Sequence, residues 1–168
     1  HYNDGSLSGE RTEFFANGKK SVEESYSWGT RDGYYKSYYA NGNMQAEGWL
    51  VNGGREGDWY YYNQRGIVSA HKYFIEDEEH GYQEFFDQLG RKDEVDFIKE
   101  GLTWTRVRLD SAGTEIYRWE SDNGTGRYAF RYPNGRSYIE QDYKNGFREG
   151  ATRKYDWNGA TLLETTFN

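Results

Sequence analysis

The chain has no cysteine, one proline and one methionine among its 168 residues. Without cysteine there are no disulfide staples and no thiolate metal sites, although this does not fix a compartment. No stretch approaches the roughly 18 apolar residues that a membrane-spanning helix needs, so no transmembrane segment is expected. Phosphate-loop and EF-hand ligand orders are also missing. Three histidines are present, His1, His71 and His80. His71 and His80 lack a third ligand at metal-site spacing, and Glu76, Asp77, Glu78 and Glu79 beside His80 read as a solvated acidic turn. The sequence places no activated nucleophile. No catalytic residue, metal or cofactor is therefore expected. The chain begins at His1 rather than Met, which reads as a trimmed start and leaves the compartment open between cytoplasm and export.

The formal charge is -7, from 21 Lys and Arg against 28 Asp and Glu. This disfavours non-specific attraction to nucleic acid, and no nucleic-acid partner is expected. Acidic residues dominate around 76 to 100. Arg106, Arg108, Arg118, Arg127, Arg131, Arg136, Arg148 and Arg153 follow in the later half, an asymmetry that would steer a charged partner. Aliphatic content is low, which by itself points toward disorder. The 17 Tyr, 9 Phe and 6 Trp argue the other way, because each ring carries a large apolar surface and suits strands.

What the chain does have is a recurring glycine. It stands at Gly18, Gly42, Gly66, Gly90, Gly113, Gly135 and Gly159, at intervals of 24, 24, 24, 23, 22 and 24. Nine residues before each stand Gly9, Gly33, Gly57, Gly81, Trp104, Gly126 and Gly150. This periodicity defines a repeat architecture of about seven units, starting near 9, 33, 57, 81, 104, 126 and 150. Tyr34 to Tyr39 reads as a strand ending at the Asn41-Gly42 turn, and Met44 to Val51 as a second strand ending at Asn52-Gly53. The second turn recurs at Asn123-Gly124 and Asn145-Gly146, and more weakly at Trp28-Gly29 and Glu76-Asp77. Pro133 directly precedes Asn134-Gly135, a turn position. A unit this short holds two strands and two turns but no crossover helix, so pairing is antiparallel. The expected fold is all-β: an elongated single-layer array of antiparallel hairpins of 22–24 residues, one domain over 1–168.

Two columns are candidates for packing between units. One lies five after the opening glycine (Phe14, Tyr38, Tyr62, Phe86, Leu109, Tyr155). The other lies eight after the turn glycine (Tyr26, Leu50, Phe74, Ile98, Tyr143, Phe167). Strict alternation puts Tyr34, Lys36 and Tyr38 on one face and Tyr35, Ser37 and Tyr39 on the other, so neither face is purely polar.

The segments GERTEFFANG (9–18), GYYKSYYANG (33–42), GDWYYYNQRG (57–66), GYQEFFDQLG (81–90), GRYAFRYPNG (126–135) and GATRKYDWNG (150–159), with YKNGFREG (143–150), resemble the MORN repeat family. The similarity is greatest to its bacterial variant group, the YwqK-like antitoxin components. The fifth unit departs from the pattern, with Trp104 in place of glycine. The resemblance implies an elongated hairpin array that acts in scaffolding, protein binding or lipid association; the antitoxin label of that group implies no mechanism here. The tract Trp59-Tyr60-Tyr61-Tyr62 must contribute rings to the core and would present others. GDWYYYNQRGIVSA (57–70) is also similar to choline-binding cell-wall repeats. The expected function is a non-catalytic protein–protein interaction or scaffold module, with Tyr35, Tyr39, Trp59 and Tyr61 as candidate partner-binding aromatics. The alternative is a carbohydrate- or choline-binding cell-surface protein.

Overall fold

A computed structural model describes residues 2–3, 6–121, 125–131, 135–145 and 147–167, with the main chain alone described at 2, 3, 130 and 131. The described residues hold strands and turns and no helix. A short hairpin of β1 (Tyr2–Asn3) and β2 (Ser6–Leu7) comes first. The main sheet is built from β3 (Gly9–Phe14), β4 (Lys20–Ser27), β5 (Thr30–Tyr38), β6 (Met44–Val51), β7 (Gly54–Tyr62), β8 (Val68–Ile75), β9 (Glu78–Glu79), β10 (Gly81–Phe86), β11 (Lys92–Lys99), β12 (Leu102–Leu109) and β13 (Glu115–Glu120). Each pairs antiparallel with the next in sequence, save that the two-residue β9 pairs β8 alone and β10 passes over it to pair β8. A second antiparallel sheet holds β14 (Gly126–Arg131), β15 (Ser137–Lys144), β16 (Phe147–Tyr155) and β17 (Thr161–Phe167). The fold is thus an all-β array of antiparallel hairpins, largely in one open sheet. Nearest-neighbour pairing follows from the short units, because no connection is long enough to cross over.

The recurring turn glycine closes a hairpin by a fixed pair of hydrogen bonds. Gly42 N donates to Tyr39 O and Tyr39 N to Asn43 O, each at 2.8 Å. The turns at Gly18, Gly66, Gly90, Gly113 and Gly159 repeat this pattern. Where the Asn before the glycine is missing, another side chain takes its place. In the first two units Asn17 and Asn41 accept from the amide two residues on. Where Arg65, Leu89 or Ala112 stands there, Asn63, Asp87 or Asp110 at the head of the turn accepts from two turn amides. Each is an Asx-type turn, reached from a different position.

The second turn is a two-residue hairpin. The pairs Ser27↔Thr30, Val51↔Gly54, Ile75↔Glu78, Lys99↔Leu102 and Lys144↔Phe147 flank it. Its first residue takes positive φ at Trp28, Asn52, Glu76, Glu100 and Asn145. Such turns favour Asn-Gly because other side chains are strained there. The Glu100-Gly101 turn carries no sequence signal of that kind. Glu100→Asn is expected to stabilise the fold by about 0.5–1 kcal/mol, read as a higher urea midpoint at unchanged slope. The Asn123-Gly124 turn and the Pro133-Asn134 pair lie outside the described residues, as does Gly146.

The opening glycine marks a bulge. Trp49 pairs Glu56 and Glu47 pairs Tyr60, so Gly57, Asp58 and Trp59 together face Gly48. The same three-to-one step recurs around Gly33 and Gly150. At Gly57 φ is +69°, open to glycine and strained for other residues. In the fifth unit Ile98 pairs Thr103 and Phe97 pairs Thr105, so Trp104 alone is extra. Losing the glycine shrinks the bulge to one residue.

The core lies on one face, termed face A. Leu50, Trp59 and Phe74 are its buried centre, with Tyr35 and Tyr61 packed against it. The two expected packing columns behave differently. The column eight after the turn glycine supplies Leu50, Phe74 and Ile98 to the core. The column five after the opening glycine lies on the opposite face, face B, and makes polar links between units. Tyr38 OH donates to Glu23, Tyr62 OH to Glu47 at 2.5 Å and Tyr155 OH to Glu140 at 3.1 Å, each 15 residues back. Of the two candidate columns, one therefore packs in the apolar core and the other links units through polar contacts.

Candidate functional site

On face A the third residue of each unit meets the preceding unit across the bulge. Trp59 is 4% exposed, its ring lying over Gly48, where an added Cβ would sit 2.3 Å from the indole. Its Nε1 donates to Trp49 O at 3.1 Å. The rings of Tyr35, Tyr61 and Phe74 surround it at 5.6, 6.4 and 6.3 Å between centroids. The equivalent residue in the next unit is Gln83, with no exposed surface. Its amide accepts from Tyr73 N and donates to Tyr73 O and His80 O, standing in for ladder bonds that β8 and β10 do not make there. One unit further on, Arg106 grips Asp96, which is 2% exposed.

Three of the four candidate aromatics, Tyr35, Trp59 and Tyr61, thus come together on face A. Tyr39 stands apart at the first turn, its OH donating to Tyr62 O at 2.8 Å. Buried over Gly48, Trp59 offers no ring face to solvent. An open trough of about 640 Å³ runs above this cluster, floored by Ala46, Leu50 and Tyr61. Arg55 borders it, with its guanidinium 3.9 Å from the centre of the Phe74 ring and its Nε 2.5 Å from Asp77 Oδ1. Asp77, from the acidic run beside His80, is held below its ordinary pKa by Arg55. Glu79 of the same run pairs with Lys72.

A band of rings open to solvent lies on face B, and none of them is among the four candidate aromatics. Cross-strand pairing places Tyr34 beside Trp49, Asp58 beside Tyr73, and Tyr82 beside Phe97. Tyr34, Trp49, Tyr60, Tyr73 and Tyr82 all count among the exposed large hydrophobics, Trp49 at 51% and Tyr82 at 67%. The Tyr34–Trp49 and Tyr82–Phe97 centroids are 6.1 and 5.0 Å apart, and Tyr60 stacks on His71 at 4.5 Å. A second row alongside is polar: Glu23↔Lys36↔Glu47↔Tyr60↔His71↔Glu84. His71 Nε2 lies 2.7 Å from Asp58. Burial opposes ionisation of Glu47, but hydrogen bonds from Tyr34 and Tyr62 outweigh it and lower its pKa. Burial, then the Glu47 bond, pushes the Tyr34 phenol up to about 12. Glu47 is therefore a carboxylate and Tyr34 a neutral phenol at neutral pH. The signal that could have found this face was the parity of Tyr34, Trp49 and Tyr60 opposite the buried Leu50 and Trp59.

Most of the later-half arginines among the described residues are engaged, while the Arg131 side chain lies outside them. Arg106, Arg108, Arg118, Arg127 and Arg153 each pair with a carboxylate. No helix of the described residues is long and apolar enough to cross a membrane.

No family model matches the chain, and no curated protein does. Among solved structures, a chain in the crystal structure of accessory secretory protein 1,2 and 3 in Streptococcus pneumoniae is similar at 16% identity and a TM-score of 0.25. The similarity covers 64% of this chain and 19% of that one, so the present chain spans about a fifth of that protein's length.

Proposed function

We propose that the chain is a non-catalytic protein-binding module, a MORN-like hairpin array that docks another protein on face B. The observation that carries this reading is the row of exposed rings crossing β5 to β10 on the face opposite the core. Exposed aromatic side chains in a contiguous band, rimmed by charge, are what protein interfaces use as anchors. The two-strand units with fixed turn and bulge glycines support the MORN-like assignment. The test is affinity capture from a lysate of the source organism by the wild-type chain and by Trp49→Ala/Tyr82→Ala. Both rings lie on the face opposite the core, so the variant should still fold, which a cooperative urea transition checks. Loss of the captured proteins supports the reading, and an unchanged set rejects it. Selective retention of glycans, lost with Trp49, would favour the carbohydrate reading instead.

A further inference from the structure

Face B is an apolar band set in negative charge. Glu47, Glu56 and Asp58 stand among its rings, against Lys36. Glu84 adjoins the band but is neutralised by Lys92. The Asp58 side chain is 59% exposed and meets His71 Nε2 through Oδ1 alone, and Glu56, paired with Trp49, uses one oxygen to accept from Glu76 N, so each keeps a second oxygen for a partner. Glu56 and Asp58 straddle the Gly57 bulge, so two carboxylates face outward between the Tyr34–Trp49 pair on one side and Tyr73 and Tyr82 on the other. The chain already shows how a cation sits here: Lys36 Nζ lies 5.1 Å from the centre of the Tyr34 ring. A second copy is a poor occupant, because each copy carries a charge of -7 and would bring its own carboxylates to the contact.

We propose that the partner docked on face B is basic, laying a Lys- or Arg-bearing segment across β5 to β10 with its cationic side chains over Trp49, Tyr73 and Tyr82 and their heads on Glu56 and Asp58. The proposal rests on the protein-binding reading. Its physical basis is the ring quadrupole, which attracts a cation over its face, and nearby carboxylates that add charge-assisted hydrogen bonds. Long cationic stems also cover apolar surface while their heads remain hydrated.

The test uses fluorescein-labelled deca-arginine, with deca-glutamate as the opposite-charge probe, titrated into the whole chain at moderate salt. Deca-arginine is expected to bind, and deca-glutamate not. Trp49→Ala and Tyr82→Ala should each weaken deca-arginine by about threefold and together by about tenfold, the scale of one and of two lost cation–ring contacts. Glu56→Gln/Asp58→Asn should weaken it comparably, while Glu164→Gln on β17 should not. Amide shifts should fall on β5 to β10. Affinity insensitive to the ring variants would reduce the attraction to net charge and overturn the proposal, as would equal binding of deca-glutamate. If the proposal fails while capture of a cellular protein still depends on Trp49 and Tyr82, the protein-binding reading stands and the partner is not basic. If capture also ignores those rings, both fall.

Discussion

Trp59→Ala is expected to destabilise the chain by about 3–5 kcal/mol, read as a lower urea midpoint. The indole is the central side chain of the buried cluster, touching Tyr35, Tyr61 and Phe74 and donating to Trp49 O. Removing it leaves Leu50 and Phe74 beside a void that a single-layer sheet cannot refill from a second layer. Gly48 sharpens the test. A glycine within a strand is normally a weak point, but here the ring covers it, and any Cβ would collide with the indole at 2.3 Å. Gly48→Ala should therefore cost about 1–3 kcal/mol in the wild type. In the Trp59→Ala background the same change should be neutral or stabilising, because alanine then fills space and suits a strand better than glycine. Equal costs in both backgrounds would show that the two positions are uncoupled and that the packing account is wrong.

The architecture was legible because it is written by backbone demands that recur. A hairpin needs a residue tolerant of positive φ at a fixed place, and glycine meets that need at Gly18, Gly42, Gly66, Gly90, Gly113 and Gly159. The turns at Arg65, Leu89 and Ala112 have no Asn before the glycine and yet are intact, because the accepting side chain stands three residues before the glycine, at Asn63, Asp87 and Asp110. Glu100 was missed for the opposite reason: pairing on both sides of the turn forces it into a conformation its own chemistry does not favour. The opening glycine was read as a marker, whereas its work is to let three residues face one.

The candidate site was legible only in part. Alternation assigned Tyr35 and Ser37 to one face and Tyr34 and Lys36 to the other, as the registers have it. What alternation cannot say is which face is filled. That is decided by Gly48, whose missing side chain admits Trp59, and by Ala46 and Ala70, which keep face A low enough for large rings to pack. Ala46 and Ala70 share one position of successive units, but Gly48 does not repeat, since Glu24 and Lys72 stand 24 residues to either side of it. Sequence reasoning looked for the core in repeating columns, yet the row that differs most between units holds much of it: Tyr35, Trp59, Gln83, Arg106 and Tyr128. Burying Trp59 on face A left Tyr34, Trp49 and Tyr60 on face B as the rings that solvent can reach.

Arg106→Met is expected to be the other large loss, about 3–5 kcal/mol, the cost of leaving a buried carboxylate without its partner. Asp96 is 2% exposed and is held in two prongs by Arg106, Nε to Oδ1 at 2.6 Å and Nη2 to Oδ2. Burial works against the guanidinium charge, yet the Asp96 bond outweighs it and raises the Arg106 pKa. The same guanidinium lies 3.3 Å from Glu94 Oε1 and 5.2 Å from the centre of the Tyr128 ring, which it helps seat against Trp119 where the two sheets meet. Methionine keeps most of the stem, so the loss is electrostatic rather than a cavity. Asp96→Leu/Arg106→Met should recover much of it, since an apolar pair of similar volume replaces a buried ion pair at little cost. A single-variant loss below about 1 kcal/mol would mean the pair is screened as a surface ion pair is. Such a pair also discriminates between neighbours that otherwise look alike. A hairpin slipped by one unit would set Arg106 against Lys72 instead of Asp96, or Trp59 against Glu24 instead of Gly48. Units that share their turns can therefore still be told apart by what lies between them.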